Sequence, residues 1–194
     1  MNNKVIAYID QQSYHGLERY DANLLTSIKK IKPDLDITFY CSTRFKSKVA
    51  SGIEVLPVFN YTEHKSKAIK VFSYLTSIVK IIIDIYNKKI KIVHIQWAKL
   101  PIIDLLFIFF IKFFLSIKIV YTEHNPVEHE KASIAHKYIN KYINILSNNL
   151  VVHTKSSYEN MKNMSGIDFR KVIIQPHGLM KLGVLTKNYN HRRE

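Results

Sequence analysis

Apolar residues fall in two kinds of run that alternate along the chain. Short runs rich in β-branched and aromatic residues occur at positions 4–10 (KVIAYID), 36–41 (DITFYC), 52–59 (GIEVLPVF), 90–97, 117–123, 149–152 and 171–174, and each reads as a strand. Longer segments lie between them. In residues 17–30, Leu17, Tyr20, Leu24, Leu25 and Ile28 recur near helical spacing, and residues 68–86, 101–115 and 131–146 read as further helices. Pro33-Asp34 breaks the first helix, and Pro101 opens the third at its first turn. Ser156 and Glu159 have the spacing of a capping box opening one more short helix. Pro57 marks the third strand as irregular or at a sheet edge. This alternation predicts an α/β fold with a doubly wound, mostly parallel sheet and helices on both faces.

One helix breaks the usual pattern. Residues 101–115 (PIIDLLFIFFIKFFL) are apolar nearly all round, where a helix with one solvent face should show a polar side. Fifteen helical residues reach only about 22 Å against a hydrocarbon core of about 30 Å, and Asp104 and Lys112 interrupt the run, so it does not read as a membrane span. One face must cover the sheet, and the other needs a second partner, either protein or a membrane surface. Lys99, Lys112 and Lys118, with Lys70 and Lys80 on the preceding helix, would suit anionic headgroups. A helix wedged between two others would give the same pattern.

Composition narrows the classes. A chain of 194 residues is one domain, or one domain with a tail, and 47% apolar residues make it globular. The single cysteine, Cys41, excludes a disulfide framework and any Cys-rich zinc site, and fits a reducing compartment. The first residues lack the basic start and small-residue cleavage site of a signal peptide. The net charge of +14 draws a protein to nucleic acid, anionic lipid or phosphate-bearing substrates, although a lysine-rich compositional habit would produce it as well. Without an RNP-like aromatic strand, C2H2 spacing or a helix-turn-helix pattern, nucleic acid is an unlikely partner.

Candidate chemistry gathers where strands end. Ligands of open parallel sheets bind outside the carboxyl ends of the strands. His124 follows one such strand and is succeeded by Asn125-Pro126, with Glu123, Glu128, His129 and Glu130 close by. A histidine there can donate a hydrogen bond, act as a base or clamp a substrate. No metal site is expected, because His129-Glu130 lacks the second histidine of H-E-x-x-H and His136 is seven residues on. His94 and Gln96 fall on one face of their strand, with Val93, Ile95 and Trp97 on the other. A histidine on such a buried strand serves either the core or a site. Gly16, between the first strand and the first helix, is placed to let a phosphate approach backbone amides or simply to make the turn, and Glu18 suits the helix dipole whatever its role.

An ordered set of segments resembles a known family. VHIQW (93–97), VYTEHN (120–125), HE (129–130), VVHTKSSYENM (151–161) and VIIQPHG (172–178) come in the order seen in the N-terminal domain of family 4 glycosyltransferases, above all their polysaccharide-biosynthesis members. The likeness implies a Rossmann-like domain over residues 1–178, one half of a GT-B fold, with 179–194 a short basic tail or truncated linker. It implies that His124 is the cleft histidine of the acceptor domain and that Gly16 faces the donor diphosphate. Glu18, His94, Gln96, Asn125, His129, Glu130 and His153 become substrate-binding candidates. The implied partners are a UDP-, GDP- or ADP-sugar donor, a glycan or lipid-linked acceptor, an anionic membrane surface at the inner face of the plasma membrane, and a separate donor-domain chain. No cofactor and no metal are implied. The sequence departs from the family in having His15-Gly16 where two glycines often stand, and Glu128 where a proline precedes the second histidine. A donor-binding second domain is not found in these residues, so the chain is expected to be incomplete as an enzyme on its own, or else a non-catalytic remnant or membrane-peripheral binding module.

Overall fold

The computed structural model describes residues 5–124 and 134–176. Along the chain run β1 (Val5–Ile9), α1 (Gly16–Ile31), β2 (Asp36–Ser42), β3 (Ile53–Phe59), α2 (Lys67–Asn87), β4 (Ile92–Ile95), α3 (Pro101–Phe114), β5 (Lys118–Thr122), α4 (Ile134–Leu146), β6 (Asn149–Val152), α5 (Lys155–Lys162) and β7 (Val172–Ile174). The strands form one seven-stranded sheet in the order β3-β2-β1-β4-β5-β6-β7, and every neighbouring pair is parallel. Strand order therefore reverses between β1 and β4, as in a Rossmann-like fold. On one face, Leu25 with Leu24 and Ile28 of α1 covers Tyr8, Phe39 and Cys41. On the other, α2 to α5 cover Ala7, Ile9, Val93, Ile119 and Leu150. Right-handed crossovers require this division, since only the β1–β2 connection runs towards the β3 edge with a helix.

The expected elements are present, with differences that have physical causes. β3 is indeed the edge strand, and its ladder to β2 shifts register between Cys41 and Ser42, beside Pro57. β4 stops at Ile95, two residues short of the expected end, because the chain turns away after Gln96 N–H bonds the Ile9 carbonyl. α5 is capped by Thr154 and not by Ser156. Thr154 is extended (φ −133°) and its hydroxyl oxygen accepts from Ser157 N–H at 3.0 Å, whereas Ser156 is already inside the helix. Residues 179–194 lie outside the described residues.

The apolar helix α3 resolves into two faces. It packs between α2 and α4, burying Asp104, Phe107, Ile108 and Ile111. Its opposite side, Ile102, Leu106, Phe109, Phe110, Phe113 and Phe114, stays exposed. It is thus flanked by two helices without being enclosed by them. The Lys112 ammonium donates to the Leu146 carbonyl at the end of α4, so this lysine, expected to face headgroups, is engaged within the fold. Asp104 accepts from Tyr74 O–H at 2.5 Å and from Leu100 N–H at 2.9 Å, which closes the first turn of α3 from inside.

Two features make stability testable. α2 ends in a Schellman motif: Ile90 N–H bonds Ile85 C=O, Lys89 N–H bonds Tyr86 C=O, and Lys89 itself is left-handed (φ 54°) where glycine is favoured. Lys89→Gly is expected to raise stability by about 0.5–1 kcal/mol, read from the urea midpoint at unchanged slope. The second feature is a set of buried carboxyls. Burial raises Asp104 to about 7 and Asp10 to about 6, and Asp21 is also pushed up, first by burial and then by the charge of Asp10. Between about pH 4 and 7 the folded chain keeps protons on these groups that the unfolded chain has released, so stability falls as pH rises through that window. His94, lowered to about 4 by burial, runs the other way, but it is one group against three. The thermal midpoint is therefore expected to be higher at pH 5 than at pH 8. Asp104→Asn should flatten the profile by about 1.4 kcal/mol per pH unit wherever that carboxyl is protonated only in the fold.

Candidate functional site

The sheet face that carries α1 also carries the polar ends of β4, β5 and β6. On β4, His94 lies beside Tyr8 of β1, ring edge to ring face at 5.1 Å. Burial, with a smaller contribution from His153, lowers His94 to about 4, so it is a neutral imidazole at neutral pH. Its Nε2 is 2.8 Å from the Thr122 hydroxyl and 3.3 Å from Gln96 Nε2. Gln96 Oε1 in turn lies 2.9 Å from His124 Nε2. One assignment of the protons suits these contacts. A carbonyl oxygen only accepts, so His124 donates from Nε2–H to Gln96. The amide then donates to His94 Nε2, which also accepts from Thr122, and the His94 proton belongs on Nδ1.

Aromatic rings surround this relay. Trp97 stacks on His124 with centroids 4.3 Å apart and planes 4° from parallel. His153, which follows β6, tilts against His124 at 4.7 Å. Its Nδ1–H donates to the Gln175 carbonyl at 2.8 Å. Tyr20 of α1 reaches over from the other side of the strand reversal, 6.2 Å from His124 and 5.8 Å from His153. Burial and the nearby Asp21 push the Tyr20 phenol up to about 12, so it remains a protonated hydroxyl. Beneath lies an acid pair. Tyr8 O–H donates to Asp21 at 2.8 Å, and burial together with the charge of the neighbouring Asp10 pushes the Asp21 carboxyl up. The result is a floor of buried donors and acceptors with aromatic walls at the strand reversal. Such an arrangement can hold a polar, uncharged ring and orient its hydroxyls.

Of the residues expected from sequence, His94, Gln96, His124 and His153 come together here. Gly16 begins α1 one helical turn before Tyr20. The left-handed conformation falls on its neighbour, His15 (φ 58°, ψ −129°), so Gly16 is not required by the turn, and a Cβ there would meet nothing within 4 Å. The open space leaves the backbone of the first turn accessible. Glu18 instead accepts from Lys46 N–H at 3.2 Å and ties the β2–β3 loop to α1. Asn125, His129 and Glu130 lie outside the described residues, as does Glu128. Glu123 does not join His124. It faces α4, 3.4 Å from the Asn144 amide. Trp97 corrects the expected alternation: β4 has ended by Ile95, and the indole swings to the His124 side. Tyr20 and Thr122 went unrecognised, Tyr20 because its helical spacing suited a core position. The separation of Tyr20 from Gly16 by one turn was the available signal. Among the described residues no group of three His, Cys, Asp or Glu side chains is arranged to hold a metal ion.

No family model matches the chain, and no curated protein sequence matches it. Solved structures do. A glycosyltransferase from Rickettsia africae ESF-5 superposes with a TM-score of 0.57 at 14% identity, over 92% of this chain and 44% of that one. Sucrose-phosphate synthase from Thermosynechococcus elongatus gives 0.62 at 11% identity, over 89% and 48%. UDP-GlcNAc 2-epimerase from Neisseria meningitidis, bound to UDP-GlcNAc, gives 0.57 at 14% identity, over 88% and 45%. At these identities the likeness concerns the fold. The chain spans less than half the length of the structures it matches and has the architecture of one Rossmann-like half of their GT-B fold.

Proposed function

We propose that this chain is the acceptor-binding half of a family 4 glycosyltransferase. Such an enzyme moves a sugar from a UDP-, GDP- or ADP-sugar to a glycan or lipid-linked acceptor in polysaccharide assembly, at the inner face of the plasma membrane. One observation carries the reading: His94, Gln96, His124 and His153 converge with Tyr20 and Trp97 at the carboxyl ends of the strands where strand order reverses. Aromatic faces and neutral donors suit a sugar ring, with Trp97 and Tyr20 as walls and the histidines orienting hydroxyls. His124 is assigned the contact to the reacting sugar, and Asn125, His129 and Glu130 the acceptor loop after it. The accessible first turn at Gly16 is assigned to the donor diphosphate.

Glycosyl transfer needs the acceptor hydroxyl and the anomeric carbon held in line, with charge on the leaving phosphate met by fixed donors. This half supplies the acceptor side. A second domain, in the same polypeptide or in a separate chain, supplies the nucleotide site. The chain alone then transfers no sugar and binds nucleotides weakly. An alternative is a non-catalytic remnant or membrane-peripheral binding module that uses the same strand-end groups to hold a saccharide. Sugar transfer gained when the chain is joined to, or mixed with, a donor domain would decide for the transferase half.

Trp97 is the chain's only tryptophan, so its fluorescence reports on the site directly. Mono- and oligosaccharides titrated into the purified chain are expected to change Trp97 emission to saturation, and His124→Ala should abolish the response. Emission unmoved by any saccharide, or calorimetry giving tight binding of a nucleotide sugar to this chain alone, would defeat the acceptor-half assignment. The relay makes a separate prediction. Nitrogen-15 NMR is expected to find neutral His124 as the single Nε2–H tautomer. Gln96→Leu should release it to a mixture, and Gln96→Glu should move His124 titration to higher pH by setting a carboxylate beside the ring.

A further inference from the structure

The exposed side of the α2–α3 layer has a composition that the cleft does not use. On α2, Phe72, Val79, Ile83 and Tyr86 are exposed by 53–70% and follow one another at helical spacing. On the neighbouring α3, Ile102, Leu106, Phe109 and Phe113 do the same at 47–63%. Aromatic and aliphatic side chains of this size, about half exposed, sum with their neighbours to an apolar patch on the order of 1,000 Å², well beyond what monomeric soluble proteins usually carry.

Charge identifies what the patch meets. Residues 64–118 hold ten lysines against two acids, Asp84 and Asp104, which leaves +8 of the chain's +14. Two of the ten lysines are engaged, Lys88 with Asp84 and Glu54 and Lys112 with the Leu146 carbonyl, and no acid of this stretch is left to offset the other eight. Asp84 accepts from Tyr40 O–H and pairs with Lys88 at 2.9 Å, and Asp104 is buried. A second copy of the chain docking here would bring this cationic face against itself. An anionic bilayer complements both parts, with acyl chains under the apolar stripes and headgroup phosphates at the lysines. The patch runs into a cleft of about 420 Å³ lined by Tyr86, Lys89, Lys91 and Phe114 at the start of β4, the opposite end of the sheet from His124. Aromatic and cationic side chains side by side are what the headgroup layer accommodates. No helix among the described residues is long and apolar enough to cross a membrane, so contact is by lying on the surface.

We infer that the outer faces of α2 and α3 form a docking surface for an anionic phospholipid bilayer, with the cleft at Lys89 and Lys91 seating headgroup phosphate. This deepens the membrane-facing part of the proposed function and does not depend on which sugar the cleft takes. It leaves the strand ends around His124 uncovered while the domain lies on the membrane.

Vesicle sedimentation tests it. The purified chain is expected to pellet with phosphatidylcholine vesicles containing phosphatidylglycerol and to stay in solution with phosphatidylcholine alone. Phe109→Ser with Phe113→Ser should cut partitioning at least about tenfold, and so should Lys80→Glu with Lys91→Glu, since each lysine near an anionic surface contributes roughly a fivefold factor. These side chains point outwards, so both variants should keep the wild-type thermal midpoint. The charge-reversed pair remains informative if the serine pair proves unstable. Equal partitioning to both vesicle types, no pelleting with either, or retention of binding by both variants would overturn the proposal. So would a dimer formed without lipid and broken by the same substitutions, which would give the face to a second copy. Lost vesicle binding with the Trp97 saccharide response intact removes this inference alone, and the converse removes only the assignment of the cleft.

Discussion

Parallel pairing with a strand order that reverses between β1 and β4 is the constraint on which the molecule depends. Right-handed crossovers then place α1 on one face and α2 to α5 on the other. The α1 face above β4, β5 and β6 is left to short side chains at the strand ends. His94, Gln96, Thr122, His124 and His153 meet there, and Tyr20 reaches across from α1. The crowded face produces the second surface. With four helices on one side of a seven-stranded sheet, α2 and α3 cover the core with one side and present the other to the outside.

The parallel architecture was legible because both periodicities are strong, and Pro57 announced the edge strand correctly. What failed was local. Thr154 and not Ser156 caps α5, since the cap is decided by which residue is extended, and both have the required side chain. Trp97 was given the wrong face because alternation holds only while the strand lasts, and β4 ends sooner than its apolar run suggests. His124 was singled out by its place after a strand and His94 by its face of one, while His153 came only with the resemblance. Tyr20 was not, because a half-buried aromatic on a helix has the same spacing whether it faces a core or a cleft. The resemblance reached the right half-fold, while family 4 membership and the acceptor role rest on proposal.

The interior under the cleft is more polar than its apolar fraction suggests. Asp10, Asp21, Gln96 and Asp104 are all almost wholly buried. Each is held by a specific donor or by a neighbouring carboxyl, which offsets a desolvation cost of several kcal/mol for any of them left charged and alone. Protonation is the cheaper state, and burial raises all three aspartates accordingly. Such a network rigidifies what rests on it. The strained His15 backbone sits at the mouth of the same region, where the surrounding structure holds a conformation that glycine would take without strain.

This polar floor changes the meaning of the net charge. From sequence, +14 could belong to a phosphate-bearing substrate or to a surface. The groups meeting at the strand ends are a neutral histidine, an amide, a threonine, a phenol and an indole with two further imidazoles, and none is a lysine or arginine. The lysines instead crowd residues 64–118, around the apolar helices. Long-range attraction therefore acts on the outer face, and short-range, directional contacts act in the cleft. The first kind brings a molecule to a surface without ordering it there. The second orders a ligand and contributes little to its capture at a distance. Under the proposed reading, an acceptor half working at a membrane needs both, and this fold keeps the two kinds of contact at separate places.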